Sequence, residues 1–262
     1  MEVRPTVAAL VAGWALFACG DDSASGAGGH GGTSSEGGAS AGGQHQGGAG
    51  TGGSSAGGAS EGGATGAPTA AQILAALGAC EPVSDQLYQS DDEPGLPSNI
   101  PVCSLGAAFY WQADMDIDCD GRESDVCNAD TDPAFQPQTS AEQSDGQFLD
   151  AKTLPYVVIP LPSARFDYEA SGIELGAVVA VIYGDQVVYG VFGDEGPDNI
   201  IGEASYGMAS LLGIDPDPST GGTDGPVTYV VFSGAGAVVD PIEDHGAATA
   251  LGEALATALV GN

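Results

Sequence analysis

The stretch GAVVAVIYGDQVVYGVFGDEGP (residues 176–197) decides the fold class of this chain. Two runs rich in Val, Ile, Tyr and Phe, residues 176–183 and 186–192, stand on either side of Gly184-Asp185. Such runs favour strands, and a two-residue Gly-Asp link favours a tight hairpin turn. The segment therefore predicts a β-hairpin whose second strand leads into Asp194.

Three more runs of the same kind, residues 107–112, 156–161 and 228–232, predict further strands. Helices are predicted for residues 69–78, 204–212 and 247–260, where apolar residues recur at helical spacing or Ala and Leu dominate. Short strands of this number are best accommodated by a small closed barrel. We therefore predict a mainly β domain with a few peripheral helices.

The N-terminal region predicts export. Residues 1–19 carry Arg4 and then a run of apolar residues that is shorter than the ~20 needed to span a bilayer. The run ends in Leu-Phe-Ala-Cys19, which resembles the lipobox of bacterial lipoproteins, where the Cys is acylated. An ordinary secretory signal that happens to contain a Cys is the alternative. The expected location is the bacterial cell surface, through a lipid anchor, or the secreted fraction.

Residues 20–67 are almost all Gly, Ser, Ala and Thr. Such a stretch cannot bury enough apolar surface to offset its ordering entropy, so we predict a disordered tether. The folded region is then residues 68–262, the size of one domain.

The net charge of −32 is concentrated in that region, where 31 acidic residues face three basic residues, Arg122, Lys152 and Arg165. A surface of this kind repels nucleic acid and anionic lipid and attracts a cationic partner. The membrane is therefore expected to be contacted only through the anchor, and we expect a monomer. Solubility of an exported protein is a simpler explanation of the same charge.

Four cysteines remain after Cys19, and an even number in an exported chain predicts two disulfides. Four cysteines allow three pairings. The pairing Cys80–Cys103 and Cys119–Cys127 is favoured because it closes the shortest loops. A zinc site is not expected, since no CxxC pair or nearby His supports one.

Excluding other catalytic motifs leaves carboxylates as the candidate catalytic groups. The region holds one histidine, His245, and neither a GxSxG elbow nor a phosphate-binding Gly-rich loop is present. Glycoside hydrolysis is the main reaction that runs on two carboxylates alone. A non-enzymatic acidic domain is equally compatible with this exclusion.

Asp194 and Glu203 are the candidate pair. Asp194 follows the apolar strand and precedes a Gly-Pro turn, and Glu203 is expected to open a helix after Ile-Ile-Gly. A strand end and a helix start can hold two carboxylates at one rim. The alternative is structural, with a turn-capping Asp and a helix-starting Glu.

Several ordered motifs resemble the chitosanases of glycoside hydrolase family 75, known mainly from fungi. They are DMDIDCDG (114–121), DPAFQPQT (132–139), LPYVVIP (154–160), VIYGDQVVYGVFGDEGP (181–197), IIGEASYGMASLLGI (200–214) and VTYVVF (227–232). The resemblance implies endo-acting, inverting hydrolysis of β-1,4-linked glucosamine chains without a cofactor. It also implies that Asp194, in the GDxGP motif, and Glu203, in IIGEAS, are the catalytic residues.

This chain departs from the family at Glu195, where the family usually has a small or neutral residue. A negative neighbour is expected to raise the pKa of Asp194. The anchor and tether also differ from the soluble enzymes of fungi. A weaker, fold-level resemblance to double-psi β-barrel domains implies a six-stranded barrel.

Asp114, Asp116, Asp118 and Asp120 alternate along the chain, so an extended backbone would place them on one face. They predict contacts to the ammonium groups of glucosamine, because charge-assisted hydrogen bonds are a natural way to prefer chitosan over chitin. The other interpretations are a solvated acidic turn and a calcium loop, although Cys127 stands where a calcium loop has Glu. Further predicted substrate contacts are Glu195, Tyr189 and Tyr206, and no metal is expected.

Three functions remain open from the sequence. A chitosan-cleaving enzyme is favoured. A polysaccharide-binding lipoprotein without activity would use the same groove, and a peptidoglycan-cleaving enzyme would fit the barrel analogy.

Overall fold

The computed structural model describes residues 66–92 and 94–261. The predicted signal peptide, Cys19 and the tether up to residue 65 lie outside the described residues. Among the described residues, no helix combines the length and the apolar character needed to cross a bilayer. The strands are β1 (Cys103–Leu105), β2 (Ala108–Asp118), β3 (Tyr156–Pro160), β4 (Val178–Tyr183), β5 (Gln186–Gly196), β6 (Glu203–Ser205) and β7 (Thr223–Phe232). The helices are α1 (Ala70–Leu77), α2 (Tyr206–Leu212) and α3 (His245–Val260), with a 3₁₀ turn at Ala235–Ala237.

Six strands close into a barrel. Their order is β2-β6-β3-β5-β4-β7, and β7 pairs with β2 to complete the circle, while β1 pairs with β2 from outside it. The mainly β fold with a six-stranded barrel is therefore confirmed. The double-psi crossing of its connections stays a prediction.

The β-hairpin predicted around Gly184-Asp185 forms in the structure. Strands β4 and β5 pair from Tyr183↔Gln186 outward, so Gly184-Asp185 is a two-residue turn. Gly184 has a φ of 60°, which glycine adopts without a steric penalty. The strand β5 continues beyond the predicted end to Gly196, and this extension carries Asp194.

Apolar side chains alternate between two buried layers. Trp111, Phe192 and Tyr229 belong to a cluster drawn from all six barrel strands, and Trp111 and Tyr229 stack at 5.4 Å. This cluster fills the barrel interior. A second cluster, which includes Tyr156 and Val230, lies between the outer face of the barrel and helices α1 and α3. The two-residue period of the strands thus buries both faces over much of the barrel.

The helices begin at side-chain caps. Thr69 caps α1, Ser205 caps α2 and Asp244 caps α3, each by accepting a hydrogen bond from a backbone N–H of the first turn. The prediction that Glu203 opens a helix is wrong. Residues Glu203–Ser205 form β6, and α2 begins only at Tyr206.

Both disulfides form in the favoured pairing. Cys80–Cys103 joins the segment after α1 to β1, and Cys119–Cys127 closes the loop that follows β2. The second disulfide includes Cys127, which stands at the position where a calcium loop would carry its Glu. Residues 116–118 are also part of β2. The stretch from residue 116 to residue 127 is therefore not folded as a calcium loop of that type.

Candidate active site

An acidic cleft of about 370 Å³ opens where β2, β6, β3 and β5 run side by side. The residues that line it carry nine carboxyl groups and no basic group. They are Asp91, Asp116, Asp118, Asp120, Asp132, Asp194, Glu195, Glu203 and Asp217. With so many like charges close together, the cleft strongly favours a cationic occupant.

Strand register explains why the Asp-rich run reaches this cleft. In the parallel ladder between β2 and β6, Asp116 pairs with Glu203 and Asp118 pairs with Ser205. Paired residues of neighbouring strands present their side chains on the same face. Asp120 follows the strand end and also lines the cleft, whereas Asp114 lies in a neighbouring recess with Asp91 and Asp224. Three of the four predicted aspartates therefore lie with the candidate pair.

Asp194 stands just after an irregularity of β5. The register between β3 and β5 shifts by one residue, so that Val157 pairs with Phe192 and Val158 pairs with Asp194. Gly193 is the extra residue, and a Cβ there would come within 2.6 Å of Leu149 and 2.8 Å of Tyr156. Glycine is therefore needed at the bulge that directs Asp194 into the cleft.

The Asp194 carboxyl is buried, with 6% of its surface exposed, but it is well supplied with donors. Its Oδ1 accepts hydrogen bonds from the Ser140 amide at 2.7 Å, the Ser140 hydroxyl at 2.8 Å and the Glu195 amide at 2.8 Å. The pKa of Asp194 is raised overall, because burial raises it more than these three donors lower it, and the Glu195 charge adds a smaller rise. The donors favour the ionised form of the carboxylate.

Glu203 is also buried, but its neighbours are other carboxyl groups. Burial raises its pKa to about 7, and neighbouring carboxylates add to the rise. These charges come from Asp120, Asp194, Asp114 and Asp91. One Glu203 oxygen, Oε2, lies over Gly196, where a Cβ would approach it to 3.1 Å. Glu203 therefore holds a proton at a pH where an ordinary Glu is ionised.

The two carboxyl groups flank one strand. Val158 of β3 pairs with Asp194 on one side, and its neighbour Val157 pairs with Ala204 on the other. Strands in a sheet lie about 4.8 Å apart, so the backbones of β5 and β6 are roughly 10 Å apart across β3. The two carboxyl groups thus face one cleft from two sides.

The aspartates of the alternating run also resist ionisation. Burial raises the pKa of Asp116 to about 7 and that of Asp120 to about 6, and it raises the pKa of Asp118 as well. The carboxyl oxygens of Asp118, Asp120 and Asp194 lie within 4.8 Å of one another, as do those of Asp91, Asp114 and Asp116. A bound cation would relieve both the burial penalty and the mutual repulsion.

Of the other predicted substrate contacts, the structure brings one to the cleft. Glu195 lines it and accepts a hydrogen bond from the hydroxyl of Tyr168. Tyr189 is buried beneath α3, where a Cβ on Gly252 would come within 2.3 Å of its ring. Tyr206 begins α2 and packs against the outer apolar layer. Neither tyrosine is among the residues that line the cleft.

Sequence reasoning missed four residues of this region, Asp91, Asp132, Asp217 and Ser140. The three aspartates line the cleft, and Ser140 holds Asp194. Asp91 and Asp217 lie in loops without a recognised motif, and Asp132 opens the motif at 132–139, although the motif gave it no role. A signal was available for Ser140, because it directly follows the motif at 132–139.

Comparison with known proteins matches this region. The sequence model of the family described as "Fungal chitosanase of glycosyl hydrolase group 75" matches residues 115–256. Endo-chitosanase C of Aspergillus oryzae is 34% identical over 179 residues, or 66% of this chain and 44% of the relative. Endo-chitosanase B of the same fungus is 33% identical over 143 residues, or 52% of this chain and 60% of the relative.

An endo-chitosanase of Aspergillus fumigatus is 32% identical over 119 residues, or 43% of this chain and 50% of the relative. The chain therefore spans between 44% and 60% of the length of these relatives. The residues matched by the family model include Asp116, Asp194 and Glu203.

Proposed function

The chain belongs to the chitosanase family of glycosyl hydrolase group 75, and we propose that it is an endo-acting hydrolase of the β-1,4-glucosamine linkages of chitosan. The proposal rests on one observation above all. Two carboxyl groups that flank β3 have opposite surroundings, since Asp194 accepts three hydrogen bonds and Glu203 has a pKa of about 7. Environments that separate two carboxyl groups in this way assign an acid and a base.

In the proposed reaction, Glu203 is the general acid. It donates its proton to the oxygen that links two sugars, and the C–O bond of the sugar breaks as the leaving group becomes a neutral alcohol. Asp194 is the general base. It takes a proton from a water molecule whose oxygen forms the new bond to the anomeric carbon. The proton gained by Asp194 and the proton lost by Glu203 balance through solvent, so no cofactor is required.

Strand spacing supports inversion of configuration. Inverting glycosidases hold their two carboxyl groups about 6.5–9.5 Å apart to admit a water molecule, whereas retaining enzymes hold them about 5–5.5 Å apart. The backbones that carry Asp194 and Glu203 are separated by a whole intervening strand, roughly 10 Å in total. We propose that the two carboxyl groups are held far enough apart for a water molecule to attack from the side of the sugar opposite to Glu203.

Charge supports chitosan as the substrate. Chitosan carries an ammonium group on each deacetylated sugar, and the cleft presents nine carboxyl groups. Ammonium binding would favour the ionised forms of Asp116, Asp118 and Asp120, whose pKa values are raised by burial and by neighbouring carboxylates. Peptidoglycan, whose peptides bring carboxylates, would meet repulsion at the same surface.

Two disulfides suit a chain exported to an oxidising compartment. We further propose that the chain acts there as a monomer, held to a membrane through acylated Cys19, with residues 20–67 as the tether that gives the domain its reach. A Cys19→Ser variant expressed in a bacterium tests the anchor. Loss of fatty-acid labelling, together with release of the protein from membranes, is the expected result.

The activity is tested by incubating the purified domain with soluble chitosan and with murein and measuring new reducing ends. Release from chitosan, with a rapid fall in viscosity that marks internal cuts, is the expected result. Binding to chitosan without release would instead indicate a carbohydrate-binding lipoprotein. Release from murein alone would indicate a peptidoglycan-cleaving enzyme.

A further inference from the structure

The loop segment 139–141 lies against β5 beside the bulge. The Ala141 amide donates to the Gly193 carbonyl at 3.1 Å, and both the amide and the hydroxyl of Ser140 donate to Asp194. The segment therefore adds a short run of hydrogen bonds where the β3–β5 ladder is irregular.

A buried threonine fixes this segment. Thr139 is only 5% exposed, and its hydroxyl donates to the Ala141 carbonyl at 2.7 Å and accepts from the Leu149 amide at 3.0 Å. Gly121, whose Cβ would meet the Leu149 carbonyl at 2.3 Å, packs against the same place. The position of Ser140 is therefore fixed by contacts of Thr139, Leu149 and Gly121, none of which lines the cleft.

The direction of the Ser140 hydroxyl is also set. It accepts a hydrogen bond from the Glu195 amide at 3.2 Å while it donates to Asp194 Oδ1 at 2.8 Å. Oδ1 receives three donors in total, whereas the other oxygen, Oδ2, accepts none from the described part of the chain. The carboxylate is therefore held by one oxygen and presents the other.

We infer that Ser140 is a positioning residue for the general base, an inference that rests on the proposed function. Its hydroxyl fixes the rotation of the Asp194 carboxylate so that Oδ2 faces the attacking water. The same hydroxyl stabilises the ionised form, because a donor to a carboxylate favours its charge. Ser140 does not contact the reacting atoms and acts only through Asp194.

The test is the pH dependence of kcat/KM on chitosan for Ser140→Ala. Loss of a hydrogen bond to a charged group lowers kcat/KM by roughly ten-fold or more. The acid limb of the profile should move to higher pH, because Asp194 then needs a higher pH to ionise. Ser140→Thr keeps the hydroxyl, so its kcat/KM and the position of its acid limb should match those of the wild type.

A matched control comes from the same loop. The Ser144 hydroxyl donates to Glu243, outside the cleft, so Ser144→Ala removes an equivalent group without touching Asp194. This variant should keep the wild-type profile. The thermal unfolding midpoints of all three variants show whether any loss of rate comes from unfolding.

The outcomes separate the inference from the proposed function. If the wild type cleaves chitosan and Ser140→Ala keeps its acid limb, the inference is overturned and the function stands. An equal loss at every pH, not restored by Thr, also overturns it. If the wild type does not cleave chitosan, the function fails, and titration of the Asp194 carboxyl by NMR still tests the effect of the hydroxyl. An unmoved titration in Ser140→Ala would then refute it.

Discussion

The two ends of the cleft give their carboxyl groups different neighbours, hydrogen-bond donors at one end and other carboxyl groups at the other. At the β5 end, Asp194 has Ser140 and a backbone amide directed at one oxygen. At the β6 end, Glu203 lies among other carboxyl groups, and burial with their charge raises its pKa to about 7. Burial is common to both ends, so the difference comes from the donors around Asp194 and from the carboxylates around Glu203.

This contrast shows how one acidic surface can supply both an acid and a base. A carboxyl that is buried without donors keeps its proton, and one that is buried with donors can give its proton up. The division of roles then depends on the loop at 139–141 and on the register of β2 against β6, rather than on the residue types.

The largest expected effect comes from removing either carboxyl. We expect Asp194→Asn and Glu203→Gln each to lower kcat on chitosan by about a thousand-fold or more, because each removes a proton transfer. The two variants should differ on a glucosamine substrate with a nitrophenol leaving group, which departs without protonation. Glu203→Gln should recover much of its rate there, and Asp194→Asn should not.

Circular dichroism and the unfolding midpoint serve as controls that both variants fold. If Asp194→Asn rather than Glu203→Gln recovers its rate on the nitrophenol substrate, Asp194 is the acid and Glu203 is the base. Wild-type turnover in either variant would remove that residue from the mechanism altogether.

A smaller effect is expected from the neighbours of Glu203. Asp120 contributes the largest charge effect on the pKa of Glu203 after burial itself. Asp120→Asn should therefore lower that pKa and move the basic limb of the kcat profile to lower pH. A shift of half a unit lowers the protonated fraction about three-fold on the alkaline side.

Asp217→Asn is the matched control, because it also removes one charge from the cleft. The charges that raise the pKa of Glu203 come from Asp120, Asp194, Asp114 and Asp91, so Asp217→Asn should leave the basic limb in place. Equal shifts in both variants would mean that Glu203 senses only the total charge of the cleft, and the two ends would then differ less than their contacts indicate.

The sequence predicted the parts of this contrast that depend on local pattern. The hairpin around Gly184-Asp185 follows from two β-branched runs and a turn, all within residues 176–192, and it carries Asp194 to its place. The alternating aspartates reach the cleft because the strand period is two. The motif resemblance placed both candidate carboxyls in one region.

The environment of each carboxyl depends on distant contacts, which local pattern does not contain. Residues 203–205 form a strand only because β2 and β3 pair with them, and by propensity they read equally well as the start of α2. Ser140 lies 54 residues before Asp194, and Asp91 comes from a loop with no strand of its own. The proposed acid and base roles therefore depend on contacts that local sequence pattern does not contain.

The smallest expected effect concerns Glu195, beside the base. Its charge raises the pKa of Asp194 by less than any donor lowers it, so Glu195→Gln should move the acid limb of kcat slightly to lower pH. This is opposite to the shift expected for Ser140→Ala, although both variants change a neighbour of the same oxygen. Tyr168→Phe, which removes the hydroxyl bonded to Glu195 but keeps the charge, should leave the limb in place. Because Gln keeps the backbone amide that donates to Asp194, a shift of Glu195→Gln to higher pH would contradict the direction assigned to the Glu195 charge.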